Sequence, residues 1–181
     1  MDLPESIQFL LVGILYPLWL VAGLCDYLCH RRTDIATTSG TTESWLHIAE
    51  FGSLAIAILI ASLLVVTRTT VIAIGLAIVA HTVLSFIDVA YTQGRRHISP
   101  FEQHVHGFLD VIPVAALGLI AALNWPAIQN SSWTIEARGD LPTFGTSVLI
   151  GSYFVLAGVP ILEELLRTQR HSRVGTKKAV S

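Results

Sequence analysis

Long apolar runs and short polar breaks alternate five times along the chain. The runs cover about residues 6–30, 43–66, 71–91, 100–124 and 143–166. Each is close to the roughly 20 residues a helix needs to cross a bilayer. The breaks carry turn chemistry: Thr33 to Thr42 with Gly40, then Thr67-Arg68-Thr69-Thr70, then Gln93-Gly94-Arg95-Arg96-His97, then a longer loop from Trp125 to Pro142. The pattern predicts an all-α integral membrane bundle of five transmembrane helices. Residues 1–168 are expected to form a single transmembrane domain, and 169–181 a basic, disordered cytoplasmic tail. Pro17 and Pro113 fall inside apolar runs and predict kinks. The first run starts acidic, with Asp2 and Glu5, and has no small-residue cleavage pattern, so it reads as a helix rather than a signal peptide.

The polar positions that interrupt these runs recur at helical spacing. Asp26 and His30 are i, i+4; His47 and Glu50 are i, i+3; His81 and Asp88 are i, i+7; Glu102, His106 and Asp110 are i, i+4, i+8. Each set lies on one face of its helix. Because successive spans alternate in direction, all four sets fall at the same end of the bundle, and the first four helices are expected to form a four-helix core around them. Ionisable groups in a membrane span are costly to bury unless they bind something.

Some acids have simpler roles. Ser99-Pro100-Phe101-Glu102 is a capping box, so Glu102 reads equally as a cap and as a ligand. Glu43, in a first helical turn, reads as a partner of the helix dipole. Glu163 and Glu164 reach the same end but belong to the fifth helix, outside a four-helix site. His104 points away from the stripe, while His97 and His171 are expected in solvent.

Composition strengthens the membrane reading. Of 181 residues, 52% are hydrophobic and 13% charged, and the mean hydropathy is +0.64. A net charge of −2 leaves no footprint for nucleic acid. Cys25 and Cys29 imply no disulfide framework and read as free thiols. Arg31, Arg32, Arg95, Arg96 and the tail's arginines and lysines share one end of the bundle. The positive-inside rule makes that end cytoplasmic, with the N-terminus outside, the C-terminus inside and the site in the cytoplasmic half.

Imidazoles paired with carboxylates are ligands for borderline metals. The expected ligands are Asp26, His30, His47, Glu50, His81, Asp88, Glu102, His106 and Asp110, with Glu50 and Asp110 as candidate catalytic groups. Nine donors exceed one ion's needs and suit two metal ions, iron by preference and zinc or manganese as alternatives. The four inward-facing stripes resemble the ferritin-like di-iron carboxylate bundles. Their membrane setting is similar to that of the membrane fatty-acid hydroxylases and desaturases. The likeness is one of ligand chemistry: the motif here is His47-x-x-Glu50, reversed from Glu-x-x-His, and His-x-x-His-His boxes are absent.

The resemblance implies a membrane-bound non-haem di-metal oxidoreductase. It would contact membrane lipid, act on a hydrophobic or lipidic substrate at the cytoplasmic leaflet, and draw electrons from a separate redox partner. A zinc-dependent membrane hydrolase and a divalent-metal carrier or sensor are the competing expectations. Bis-histidine haem is disfavoured, because haem takes two imidazoles and no acids.

Overall fold

The computed structural model describes residues 2–139 and 143–180, with the backbone alone over 175–180. Among the described residues the chain is helical, without strands. Five helices are long and apolar enough to span a membrane: α1 (Leu3–Arg32), α2 (Thr41–Leu63), α3 (Arg68–Thr92), α4 (Pro100–Leu123) and α6 (Phe144–Val174). A short α5 (Trp125–Asn130) lies between the last two. The final helix runs on to Val180, through the segment expected to be a disordered tail.

Local chemistry sets the helix ends. Thr67 caps α3 by accepting from the Thr70 amide, Ser99 caps α4 through the Glu102 amide, and Thr143 caps α6 through the Thr146 amide. Pro17 is accommodated by widening the turns before it: Phe9–Leu15 is π-helical, and the Tyr16 N–H donates to the Leu11 carbonyl five residues back. A second π-helical stretch, Phe154–Gly158, lies within α6.

The two halves of the bundle differ in their interior. One half has an apolar core built from Trp19, Leu54, Ala57, Ile74, Ile78 and Ile112. It is closed by a ladder of rings. Phe51 and Trp19 stack on opposite sides of Tyr153, at centroid distances of 4.7 and 5.5 Å. The Tyr153 hydroxyl donates to the Phe51 carbonyl, and Trp19 Nε1 donates to the Leu109 carbonyl. The other half is polar. Buried groups from the fifth span enter both halves, Tyr153 in the first and Glu164 and Thr168 in the second, so the interior is not confined to the first four helices. Large apolar residues such as Leu76, Phe86 and Val111 face outward, as a lipid-facing surface requires.

Candidate metal centre

The polar half gathers seven carboxylates, from Asp26, Glu43, Glu50, Asp88, Glu102, Asp110 and Glu164, all buried or half-buried. Four imidazoles and one guanidinium accompany them. Histidines in a low-dielectric interior add no fixed charge when neutral, so Arg96 alone cannot offset these acids. The set calls for bound cations or for protons.

Its centre is a pair of stacked imidazoles. His30 on α1 and His47 on α2 lie 4.4 Å apart, with their planes within 4°. Glu164 on α6 holds both. Its Oε2 is 3.0 Å from His30 Nδ1 and its Oε1 is 2.6 Å from His47 Nδ1. A carboxylate only accepts, so both Nδ1 atoms carry protons, and each ring in its neutral form keeps the Nε2 lone pair for a ligand. Both Nε2 atoms are buried and make no hydrogen bond.

Those Nε2 atoms face acids at a telling distance. His30 Nε2 is 3.6 Å from Asp26 Oδ2 and 3.6 Å from Glu102 Oε1. His47 Nε2 is 3.6 Å from Asp88 Oδ2 and 3.9 Å from Glu43 Oε1. His106 Nε2 is 3.1 Å from Asp26 Oδ1, on the far side of that carboxylate from His30. Most of these separations are too long for hydrogen bonds. They match ligands sharing an ion, since donors about 2.0–2.2 Å from a metal stand roughly 3–4 Å from one another.

Two groups of donors converge closely: Asp26, His30, Glu102 and His106, with donor atoms all within 4.8 Å of one another, and His30, Glu43 and His47 within the same limit. This buried cluster can hold a metal ion. His30 has only Nε2 to give, because Nδ1 belongs to Glu164, so it cannot complete both groups. Asp88, at 3.6 Å from His47 Nε2, is the donor available to the second group in its place.

The remaining expected ligands are placed differently. His81 and Asp110 form their own pair, with His81 Nε2 3.4 Å from Asp110 Oδ1, and Ser85 Oγ donates to Asp110 Oδ2. Both His81 nitrogens are buried without hydrogen bonds. Glu50 lines a cavity of about 80 Å³ together with Asp26, His30, His47, His81 and Glu164, and its Oε1 has no hydrogen bond. That is room enough for more than one water molecule.

Three residues outside the expected ligand set turn out to be central. Glu164 orients the two imidazoles. Glu43, read from the sequence as a helix-dipole partner, is fully buried: Ser39 Oγ donates to its Oε2 and Arg96 to its Oε1. Arg96 itself is buried between two acids, 2.7 Å from Glu43 and 2.5 Å from Glu102. Gly94, at a φ of 80°, makes the turn that brings Arg96 inward. Burial alone would weaken the guanidinium's hold on its proton, but Glu43 and Glu102 outweigh that and raise its pKa above the ordinary value. Glu102 is not a capping side chain. Its amide uses Ser99, while its carboxylate goes to Arg96 and His30. The histidines set aside lie elsewhere: His104 Nδ1 pairs with the Pro100 carbonyl, and both His97 and His171 are exposed.

No protein-family model, curated protein or solved structure matches this chain.

Proposed function

We propose that the chain is a membrane-bound non-haem metalloenzyme, an oxygen-dependent oxidoreductase acting on a hydrophobic substrate, with two metal ions, iron by preference. One observation carries this reading. A single buried carboxylate, Glu164, fixes two stacked imidazoles through Nδ1, and their free Nε2 atoms stand at ligand distance from acids of other helices, Glu102 for His30 and Asp88 for His47. A carboxylate behind a metal-binding histidine is a recurrent way of setting the tautomer and orientation of the ligand. A purely structural polar network would instead satisfy its buried nitrogens by hydrogen bonds.

In this reading Asp26, His30, Glu102 and His106 hold one ion, and His47 with Asp88 contributes to the other. Mixed imidazole and carboxylate donors suit iron, and bound iron supplies dioxygen activation. The chain's residues do the rest. Glu164 keeps the rings in register, Arg96 offsets charge on Glu43 and Glu102, and the aromatic ladder shuts the cluster from the apolar half. Glu50 and Asp110, each with a buried oxygen lacking a hydrogen bond, are placed to accept and return a proton. In overall balance, one dioxygen takes two electrons from the substrate's C–H bond and two from an external donor. One oxygen atom ends in a hydroxyl group and the other in water.

The basic residues at the cluster's end support a reading in which it lies in the cytoplasmic half, with the N-terminus outside. The test is metal analysis of protein purified in detergent after growth with ample iron, followed by oxygen uptake on reduction. Two irons per chain and oxygen consumption are expected. Stoichiometric zinc without oxygen uptake would instead establish the hydrolase reading, with Glu50 as the base beside a metal-bound water. For orientation, Ser132→Cys and Thr37→Cys, in a background with Cys25→Ala and Cys29→Ala, should react with an impermeant maleimide from opposite sides. Labelling from the same side would refute the topology.

A further inference from the structure

The apolar half of the bundle is not solid. A cavity of about 570 Å³ lies between α1, α2, α3, α4 and α6, inside the range of sites that take one small ligand. Its walls include Leu15, Ala57, Ile78, Pro113, Ala116 and Leu149. Along α4 it extends from Ile112 to Asn124, which is about 18 Å at 1.5 Å per residue. A long, largely apolar space fits an extended chain better than a compact ring.

The two ends of the cavity differ chemically. The inner end is Trp19 and Leu54, which also line the small cavity of the metal cluster. Trp19 of the aromatic ladder and Leu54 stand between the two spaces. The π-helical turns of α1 and α6 flank this junction, and such turns gather at functional sites. The outer end carries Asn124 and Arg138. The loop bearing Arg138 is tied to the turn between α2 and α3: the Val65 amide donates to the Glu136 carbonyl and the Arg138 amide to the Leu63 carbonyl. Two guanidinium nitrogens of Arg138, Nε and Nη2, donate to the carbonyls of Leu64 and Ala61. Arg138 is thus held at the mouth, yet among the described residues no carboxylate pairs with it.

We infer that this cavity binds a single-chain amphiphile with an anionic head, its head at Arg138 and Asn124 and its methyl end against the Trp19–Tyr153 stack. A fixed guanidinium recognises a carboxylate or a phosphate head equally well. The orientation has a consequence that rests on the metalloenzyme reading: the carbon held nearest the cluster, across the aromatic ladder, is the one farthest from the head. The chain then occupies the half of the membrane opposite the cluster, rather than the leaflet on the cluster's side.

Binding is tested on chelator-treated full-length protein in detergent, so its outcome is independent of whether the cluster is a metal centre. Radiolabelled palmitate should bind saturably at one per chain. Unlabelled palmitate and hexadecyl phosphate should compete, and whichever competes more strongly identifies the head group. Hexadecyltrimethylammonium, with the same chain and the opposite charge, should compete at least about tenfold more weakly, the loss that follows from removing a hydrogen bond to a charged group. Ala116→Phe, which fills the cavity, should abolish binding while leaving metal content and melting temperature unchanged. Arg138→Gln should weaken palmitate binding about tenfold and remove the preference over the cationic chain. Absence of saturable binding in the wild-type protein, or equal competition by the cationic chain, would overturn the proposal without any reliance on a variant.

Discussion

The two halves of this bundle solve the same problem by opposite means. Both must hold helices together where lipid offers no hydrophobic incentive to associate. In the apolar half, small residues such as Ala57 and Ala77 and stacked rings do it by close packing, and a cavity is left over. In the polar half, charged groups reach across between helices: Glu164 to His30 and His47, Arg96 to Glu43 and Glu102, His106 to Asp26. The first half tolerates imprecision because dispersion is non-directional. The second does not, because a buried ion with a missing partner costs far more than a missing methyl group. Structure there is specified by buried charged and imidazole side chains, and the two halves should respond differently to the same kind of damage.

The largest contrast is expected from truncation to alanine. His106→Ala and His30→Ala should each lose bound metal, measured by elemental analysis, while circular dichroism stays helical. Ile74→Ala, in the apolar half, should keep its metal and lose about 2–5 kcal/mol of stability, read as a lower melting temperature. If His106→Ala keeps full metal and activity, the polar half is a structural network and nothing more.

A smaller effect should separate two adjacent acids. Glu164→Ala should weaken metal affinity about 10–100-fold, the usual cost of removing a group that orients a ligand. Glu163→Ala should leave affinity unchanged, since Glu163 serves Tyr27 and the exposed Arg31. A competition titration against a chelator of known affinity distinguishes them, and equal losses would remove the special role of Glu164.

Acid should act on the polar half first. Imidazoles and carboxylates bind metal only when deprotonated, so affinity must fall as pH falls and rise towards neutrality. Arg96, its pKa raised by its two acids, stays charged throughout. Metal retained unchanged at pH 4 would contradict these donors.

The smallest effect belongs to Gly94→Ala. At a φ of 80° a side chain costs about 1 kcal/mol. The strain falls on the turn that delivers Arg96, so metal affinity should drop slightly more than the melting temperature suggests.

Much of this contrast was legible in the sequence. Hydropathy located the five spans to within a few residues at most ends, because a 20-residue apolar run leaves little choice. The exception is the last helix, which runs well past the apolar stretch. The stripes on α1 to α4 were legible because helical spacing fixes which side chains share a face. Glu164 was not. Consecutive residues on a helix lie about 100° apart, so Glu163-Glu164 had to put one acid inward and one outward, and the sequence does not say which. The premise of a four-helix site then removed both. A usable signal existed: the pair reaches the same end of the bundle as every stripe. Arg96 was hidden by a different rule. A basic pair in a loop reads as solvated topology markers, and only the positive φ of Gly94 turns one of the two inward, while Arg95 stacks over the Tyr91 ring at 3.9 Å. His81 and Asp110 illustrate the converse. Spacing assigned them correctly to inward faces, but depth along the helix sets them apart as a pair.

The position of Glu164 in the chain has a consequence for biosynthesis. Translation delivers His30 and His47 to the membrane early, yet the acid that locks both rings comes 117 residues after His47. Until α6 is inserted, the two imidazoles lack the carboxylate that orients them. Metal loading is therefore expected to wait for the arrival of α6, and a ribosome stalled ahead of it would leave a membrane-inserted chain whose first two spans carry unoriented rings.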